Sequence, residues 1–293
     1  MKGKGVVLFI LLCSSLNLLA GSKLADAVKA GEIKSVKKIV AENAGVLKEK
    51  IPGIGLPLHY AVARQKPEIV LYMLANGADV NQTDPETGEN AVFHLLDMPQ
   101  SAAVVKKSIE MVKLLAENKA DFNVINKENM TALYKYSIGR HNLNSLDEKK
   151  DFIRALIDAG AKMDINLKRD LPLLNAVLLK VLVSNPDHAE IAQVLIEKGC
   201  PLNRPCQKKA ESEKSTTFTE GDTPLHIVIK REGFQTIAKR DMIALLVENG
   251  ANRYAKNKKK KTPKTLLSRK SPFYEKMYYE ALVKTKVKRR SKK

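Results

Sequence analysis

The chain is poor in the residues that build catalytic and metal sites. It has no tryptophan, three cysteines and five histidines among 293 residues. His94, His141 and His188 have no partner at zinc-ligand spacing, and Cys200 and Cys206 have no histidine close by. The sequence also lacks a Gly-x-Ser-x-Gly nucleophile motif and a glycine-rich phosphate loop before a helix. We therefore predict a protein that is not an enzyme, with no catalytic residue, no metal and no cofactor.

The apolar run near the N-terminus is too short for an ordinary membrane span. It extends from Val6 to Leu12 and continues less purely to Leu19, whereas a bilayer-spanning helix needs about 20 apolar residues. Lys2 precedes the run and Ala20-Gly21-Ser22 follows it, a pattern typical of a secretory signal. We predict a cleaved signal peptide over residues 1–22 and an exported, periplasmic or secreted protein. An uncleaved membrane anchor and an ordinary buried helix are the alternatives.

Two short phrases recur along the rest of the chain. The opening phrase is Thr223-Pro224-Leu225-His226, with degenerate copies that begin at Leu56, Asn90, Thr131, Leu171 and Thr262. The closing phrase is Leu245-Leu246-Val247-Glu248-Asn249-Gly250-Ala251, with copies whose turn residues are Gly77, Lys119, Gly160 and Gly199. Threonine can cap a helix, proline suits its first turn, and glycine after a helix supplies a left-handed turn. The phrases therefore predict the start and the end of a repeated pair of helices.

This pattern resembles the ankyrin repeat, in which the same phrases recur at about 33 residues. The resemblance implies an all-α fold, an ankyrin-repeat α-solenoid of about six helix-turn-helix repeats with finger loops. It also implies that His59 and His226, the fourth residues of two opening phrases, hydrogen-bond the turn backbone. A bacterial, exported member of the family is the expectation.

The spacing of the repeats departs from that family. Successive closing phrases lie 42, 41, 39 and 51 residues apart. Insertions of this kind form loops at one edge of a solenoid and leave the stacked core intact. The largest insertion, residues 204–221, lies at the position of a finger loop. We predict one repeat domain over residues 23–283, capped at both ends, and a basic tail over residues 284–293.

The net charge of +19 is concentrated at the C-terminus. Residues 256–293 contain sixteen Lys or Arg against two Glu, a net charge of +14. Together with Lys2 and Lys4 this leaves +3 for residues 5–255, so the repeats themselves are nearly neutral. Weak contact of the basic tail with an anionic membrane, an envelope polymer or nucleic acid is therefore one alternative function.

Cys200 and Cys206 are separated by five residues. Export would place them in an oxidising compartment, where they could form a disulfide. The alternative is a buried free thiol at Cys200, in the slot that alanine fills in other copies, and an exposed Cys206.

The resemblance implies a non-enzymatic scaffold that binds another protein through its concave face and finger loops, and we expect a monomer. A secreted effector that binds a host protein is a further alternative. In the family, recognition falls on the finger tips and on the residues just after the small pair of the first helix. Carried over to the copies that align, the predicted partner-binding residues are Arg64, Glu86, Thr87, Glu89, Asp97, Lys127, Glu128, Met130, Asp170, Glu220, Asp222, Lys230 and Arg231. Their mixed charge suits a protein partner better than a polyanion.

Overall fold

A computed structural model describes residues 19–96, 102–139, 146–165, 171–180, 187–207, 219–230, 236–267, 276 and 279. In these ranges the chain forms short helices joined by turns, and the only β-type pairing there is an isolated bridge between Ile51 and Gly55. The all-α prediction is confirmed. The helices are a segment over 19–30 (α1), Ile33–Glu42 (α2), Pro57–Ala63 (α3), Pro67–Ala75 (α4), Ala102–Glu117 (α5), Ala132–Ile138 (α6), Leu146–Asp158 (α7), Leu173–Lys180 (α8), Asp187–Glu197 (α9), Pro224–Lys230 (α10), Thr236–Glu248 (α11) and Pro263–Leu267 (α12), with 3₁₀ turns at Ala44–Leu47 and Ala91–Leu96.

Three helices begin at the proline of the opening phrase, as the sequence predicts. α3, α10 and α12 start at Pro57, Pro224 and Pro263. Proline costs little there because the first N–H groups of a helix have no intrahelical acceptor. The next residue, Leu58 or Leu225, is buried, so the proline start also sets which face of the helix meets the core.

The closing phrase ends the second helix of a repeat in a left-handed turn. After α4, Gly77 has φ +93, and the N–H of Ala78 donates to the Met73 carbonyl at 3.0 Å. After α5 the same bond joins Ala120 N–H to the Leu115 carbonyl at 3.0 Å, although the left-handed residue there is Lys119, with φ +63. Lysine is less stable than glycine in this conformation by roughly 1 kcal/mol.

The chain divides into two compact units. The first consists of residues 1–132, 142–148 and 158–160. In it, α3 packs on α4 and on the 3₁₀ turn at Ala91–Leu96, and α2 packs on α4. The core of this unit contains large side chains that are almost fully buried, namely Leu24, Leu47, Ile69, Met73, Phe93, Leu95 and Leu115.

The second unit consists of residues 133–141, 149–157 and 161–293. Its first helices of successive repeats form one row, since α10 packs on both α8 and α12. Its second helices form another row, since α9 packs on α11. The two rows contact each other, because α8 packs on α9 and α10 packs on α11. Tyr136 and Phe152 meet edge to face in its core, with ring centroids 4.6 Å apart.

Candidate functional site

Two finger turns of the first unit lie side by side. Residues 84–90 form one turn, in which the Gly88 N–H donates to the Asp84 carbonyl at 2.7 Å. Residues 126–131 form the other, in which the Met130 N–H donates to the Asn126 side-chain oxygen at 3.0 Å. We call these two turns the first finger pair. Each turn is closed by its own hydrogen bonds, so its backbone is defined before any partner binds.

Polar bonds join the two turns of the first finger pair. The Lys127 N–H donates to the Thr87 carbonyl at 2.8 Å, and the Asn126 side-chain amide donates to Glu89 Oε1 at 2.8 Å. A Cβ on Gly88, which has φ +70, would lie 3.2 Å from the Lys127 nitrogen. The close approach of the two backbones explains the glycine at that position.

Lys50 holds the acidic side of the first finger pair. Its ammonium lies 3.0 Å from Asp84 Oδ2 and 2.9 Å from Glu86 Oε1. Burial raises the pKa of Asp84, but hydrogen bonds from Lys50 and from the Glu86 and Thr87 amides outweigh it, so that pKa lies below its ordinary value. Asp84 is therefore a charged structural residue of the turn.

A second finger pair in the second unit consists of residues 219–223 and 257–262. Asp222 is fully buried between the two turns. It accepts hydrogen bonds from the Thr219 N–H at 2.7 Å and from the Asn257 side-chain amide at 2.9 Å, and the Lys230 ammonium lies 2.5 Å from its Oδ2. The buried charge is thus both paired and hydrogen-bonded, as a charge without solvent must be.

Close backbone contact recurs in the second finger pair. The Lys258 N–H donates to the Glu220 carbonyl at 2.8 Å. A Cβ on Gly221, at φ +85, would lie 2.9 Å from the Lys258 nitrogen. The two finger pairs therefore share one geometry: a carboxylate just before the opening phrase, an asparagine that caps the following finger, and a glycine where the backbones meet.

The structure separates the predicted partner-binding residues by burial. Five are exposed and can meet a partner: Arg64, Glu86, Thr87, Lys127 and Glu128. Glu220 and Lys230 are half-buried. Asp97, Asp170 and Arg231 lie outside the described residues.

Three of the predicted contacts are buried. Glu89 and Met130 have 9% of their surface exposed, and Asp222 has none. Glu89 and Asp222 bond the asparagine of the next finger, and Met130 closes its own turn through its backbone. We withdraw them from the candidate surface, because a side chain enclosed by its own turn or by the next one cannot reach a partner.

The histidines of the opening phrase have the structural role that the resemblance implied. His59 Nε2 is 3.0 Å from the Gln82 carbonyl, and His226 Nε2 is 3.0 Å from the Lys261 carbonyl. Burial lowers the pKa of His59 to about 4 and also lowers that of His226. His59 stacks on His94 with ring centroids 4.7 Å apart. These rings connect a helix to the following turn and are not free for ligation.

Cys200 and Cys206 are both buried and unbonded in the structure. The expected exposure of Cys206 is wrong: only 1% of it is exposed, because it lies beneath the loop of Asp222, whose carbonyl accepts its N–H at 2.9 Å. The Asn175 amide lies 3.1 Å from its Sγ. Burial raises the pKa of both thiols to about 12, so neither is a thiolate nucleophile.

Within the described ranges, no group of three or more His, Cys, Asp or Glu side chains is placed to hold a metal ion. None of the helices found there is long and apolar enough to cross a bilayer.

Sequence reasoning missed the polar network of the second unit. Asn175 is fully buried on α8, and its amide contacts Cys206 Sγ at 3.1 Å and the Arg204 carbonyl at 3.3 Å. The signal that was available is the sequence around it, because an asparagine among the apolar residues Leu173, Leu174, Ala176 and Val177 is expected to bond its amide group inside the protein.

Comparisons with known proteins agree with this geometry. Residues 56–85 and 220–258 match the family model of the ankyrin repeat. Mouse "Ankyrin repeat and SOCS box protein 11" is 27% identical over 120 residues, which are 41% of this chain and 34% of that protein. The chain therefore matches only about a third of that relative's length. The crystal structure of the ankyrin repeat domain of Bcl-3, a member of the IkappaB protein family, has a TM-score of 0.63 and 20% identity, covering 87% of this chain and 96% of that one.

These matches show the fold of the protein. Two segments match the ankyrin repeat, and the described helices have the ankyrin-repeat fold, an α-solenoid. Ankyrin repeats generally mediate protein–protein interaction, and domains of this fold are typically scaffolds without catalytic activity. The bacterial origin and the export of the chain stay predictions.

Proposed function

We propose that this protein is a non-enzymatic scaffold that binds a partner protein through the concave face and finger loops, with the first finger pair as the contact site. The observation that carries the proposal is that, in this pair, different side chains close the turns and face solvent. Asp84 and Asn126 close the turns, whereas Glu86, Lys127 and Glu128 are exposed beside them. A surface whose backbone is fixed in advance loses little conformational entropy on binding, which favours affinity.

The charges of this site support a protein partner. Glu86 and Glu128 are acidic, Lys127 is basic, and Thr87 can donate or accept a hydrogen bond. A surface of mixed sign gains specificity from a partner with the complementary pattern and repels a uniform polyanion at its acidic positions. Arg64, exposed with its guanidinium 4.9 Å from the Tyr60 ring centroid, adds a flat cationic group after α3.

The experiment is affinity capture on the immobilised full-length chain, with extract from the source cell and quantitative mass spectrometry. The test variant reverses three exposed charges of the first finger pair, Glu86→Lys, Lys127→Glu and Glu128→Lys. The matched control reverses three exposed charges on α5, Lys106→Glu, Glu110→Lys and Glu117→Lys. Both variants change the net charge by the same amount, so a difference between them reports the site.

The proposal expects a protein that the wild type and the α5 control retain equally and that the finger variant retains about tenfold less. Equal retention by all three chains would contradict the proposed site. Circular dichroism of each variant establishes that the helices are intact.

The basic C-terminal residues support a second proposal, a tether to an anionic surface. The observation in its favour is the net charge of +14 over residues 256–293. The tail at 284–293 lies outside the described residues. Deletion of that tail should then abolish salt-sensitive binding to vesicles that contain an anionic lipid, or to an oligonucleotide. Unchanged binding after the deletion would refute this role.

We also propose export of the protein. The proposal depends on Lys2, Lys4 and the apolar run Val6–Leu12, which lie outside the described residues. Cell fractionation with intact-mass measurement tests it, and the expected mature chain begins at Lys23. A full-length chain in the membrane would instead indicate an anchor, and a full-length chain in the cytosol would refute export. Recovery of the mature chain from the medium or from a host cell would favour the effector role.

A further inference from the structure

The last described finger turn carries a dense group of lysines. Residues 256–261 read Lys-Asn-Lys-Lys-Lys-Lys, and no acidic residue occurs between Arg253 and Lys264. Lys256, Lys258, Lys259 and Lys260 are exposed, and Lys261 is half-buried. We call residues 256–261 the lysine turn. The ammonium groups are thus concentrated at one turn of the second unit.

Hydrogen bonds fix the lysine turn from inside. The Asn257 N–H donates to the Lys261 carbonyl at 3.0 Å, and the Lys260 N–H donates to the Asn257 carbonyl at 2.8 Å. The Asn257 side chain accepts from the Lys261 N–H at 2.9 Å and donates to buried Asp222 at 2.9 Å. The turn is therefore anchored to a buried carboxylate, and its lysine side chains are not needed to close it.

Lys260 has a left-handed backbone with φ +55. Asn129 stands at the equivalent place in the first finger pair, with φ +62. The left-handed conformation is therefore a property of the turn, and a lysine in it is less stable than a glycine would be.

Most of the positive charge on the turn is available to a partner. Lys258 is paired with Glu220, with 2.5 Å between Nζ and Oε2. Asp222, the other carboxylate of this finger pair, is buried against Lys230. Within the described ranges no ion pair engages Lys256, Lys259 or Lys260.

An exposed aromatic residue flanks the lysine turn. Tyr254 is 67% exposed, and the Arg253 guanidinium lies 4.9 Å from its ring centroid. At the same position of the preceding repeat, the Asn203 amide donates to the Gly250 carbonyl at 3.2 Å and accepts from the Asn252 N–H at 2.6 Å. Tyr254 thus replaces a residue that joins repeats, and its ring faces solvent instead. Tyrosine and arginine are the residues most enriched at the energetic centres of protein interfaces.

We propose that the lysine turn, with Arg253 and Tyr254, docks an acidic segment of the partner protein. This inference rests on the proposed scaffold function and names the chemistry of one part of the partner. Ammonium groups steer an acidic segment to the turn, and the Tyr254 ring supplies an apolar contact beside them.

The geometry favours an acidic protein segment over a nucleic acid. Binding of a single strand uses several aromatic platforms along a groove, whereas Tyr254 is the exposed ring next to this turn in the sequence, among the residues that the structure describes. A phosphate site commonly uses backbone N–H groups, but those of Lys258, Lys260 and Lys261 are bonded within the finger pair.

The test measures fluorescence anisotropy of a labelled peptide of about ten residues, rich in glutamate and containing one phenylalanine, at low salt where such contacts are strongest. The full-length chain is compared with a variant that carries Lys256→Gln, Lys259→Gln and Lys260→Gln. The matched control carries Lys106→Gln, Lys107→Gln and Lys113→Gln at exposed positions of α5. Both variants lose the same charge, so a difference assigns binding to the lysine turn.

Each exposed ion pair contributes about twofold in affinity, so the lysine-turn variant should bind the peptide about tenfold more weakly. The α5 control should stay near wild type. Tyr254→Ala should weaken binding severalfold without changing the slope of affinity against salt, because it removes no charge. Equal losses in both triple variants would overturn the proposal.

A single-stranded oligonucleotide of the same net charge separates the two partner classes. If it binds more tightly than the peptide and loses affinity in the lysine-turn variant, the patch is a nucleic-acid site and the proposal is refuted. Capture of a protein that depends on Glu86, Lys127 and Glu128, with no effect of the lysine turn, leaves the scaffold function standing and removes this inference. If capture does not depend on Glu86, Lys127 and Glu128 but the peptide still binds through the lysine turn, the first finger pair is refuted as the contact site and the lysine turn stands.

Discussion

Acidification should destabilise the fold through His59. Burial lowers the pKa of this ring from 6.5 to about 4, and its neighbour His94 opposes a positive charge on it. The unfolded chain therefore takes up a proton at a pH where the folded chain does not. The neutral His59 ring contributes to the free energy of unfolding. This contribution is fully present above about pH 6.5, declines as the pH falls, and is lost below about pH 4.

The two pKa values set the magnitude of the effect. Between about pH 7 and pH 5 the linkage relation gives a loss of about 2 kcal/mol from His59 alone. The variant His59→Gln keeps a donor for the Gln82 carbonyl but cannot be protonated. It forfeits the ring stacking on His94, so its stability should be lower at pH 7, but it should lack this part of the pH dependence.

Urea unfolding followed by circular dichroism, at several pH values between 7 and 5, measures the difference. Wild type should lose about 2 kcal/mol more than His59→Gln over this range. His188 gives a parallel test in the second unit, because burial also lowers its pKa to about 4. An equal loss in wild type and His59→Gln would refute the assignment of His59 as a buried, neutral ring.

Three further predictions concern stability and thiol chemistry. Lys119→Gly should raise the free energy of unfolding by about 1 kcal/mol, because φ +63 suits glycine, and an unchanged urea midpoint would contradict this reasoning. Asp222→Ala should lower it by about 3 kcal/mol or more, since Lys230 loses the carboxylate that pairs with it, and a near-neutral effect in the same assay would refute the buried pair. Cys200 and Cys206 should react with a thiol reagent only after denaturation, because burial raises their pKa to about 12, and rapid labelling of the native chain would contradict the structure.

The helix starts, the helix ends and the roles of two histidines could be predicted because their signals are local. Pro224 begins α10 within the phrase that predicts it, and His226 is held there through Thr223, whose hydroxyl lies 2.9 Å from Nδ1. The acceptor of its other ring nitrogen, the Lys261 carbonyl, lies 35 residues further on. The family resemblance still implied it, because the histidine of each opening phrase bonds the turn that follows its own repeat, although the separation is 23 residues for His59 and 35 for His226.

Burial at the finger turns could not be predicted in this way. Asp222 occupies a finger position, and it is enclosed both by Thr219 and Lys230 of its own repeat and by Asn257 of the following finger. Glu89 is covered by Asn126 for the same reason. The sequence period shows which residues lie at a finger, but the burial of each side chain depends on how closely the neighbouring turn approaches. That approach is set by the contact of Gly88 and Gly221 with the next backbone.

Each second finger turn contains a buried asparagine that joins two repeats and exposed residues that meet solvent. Asn126 and Asn257 bond the carboxylate of the preceding finger, so replacing either would leave a buried acceptor without its donor. The residues that follow them, 127–128 and 258–260, are exposed. Lys127 donates to the Pro85 carbonyl and Lys258 pairs with Glu220, but the bonds between asparagine and carboxylate do not depend on these lysines. The surface charge can therefore differ from finger to finger while the asparagine–carboxylate bonds stay the same. This is why one geometry can display mixed charges in the first finger pair and lysines alone at residues 258–261.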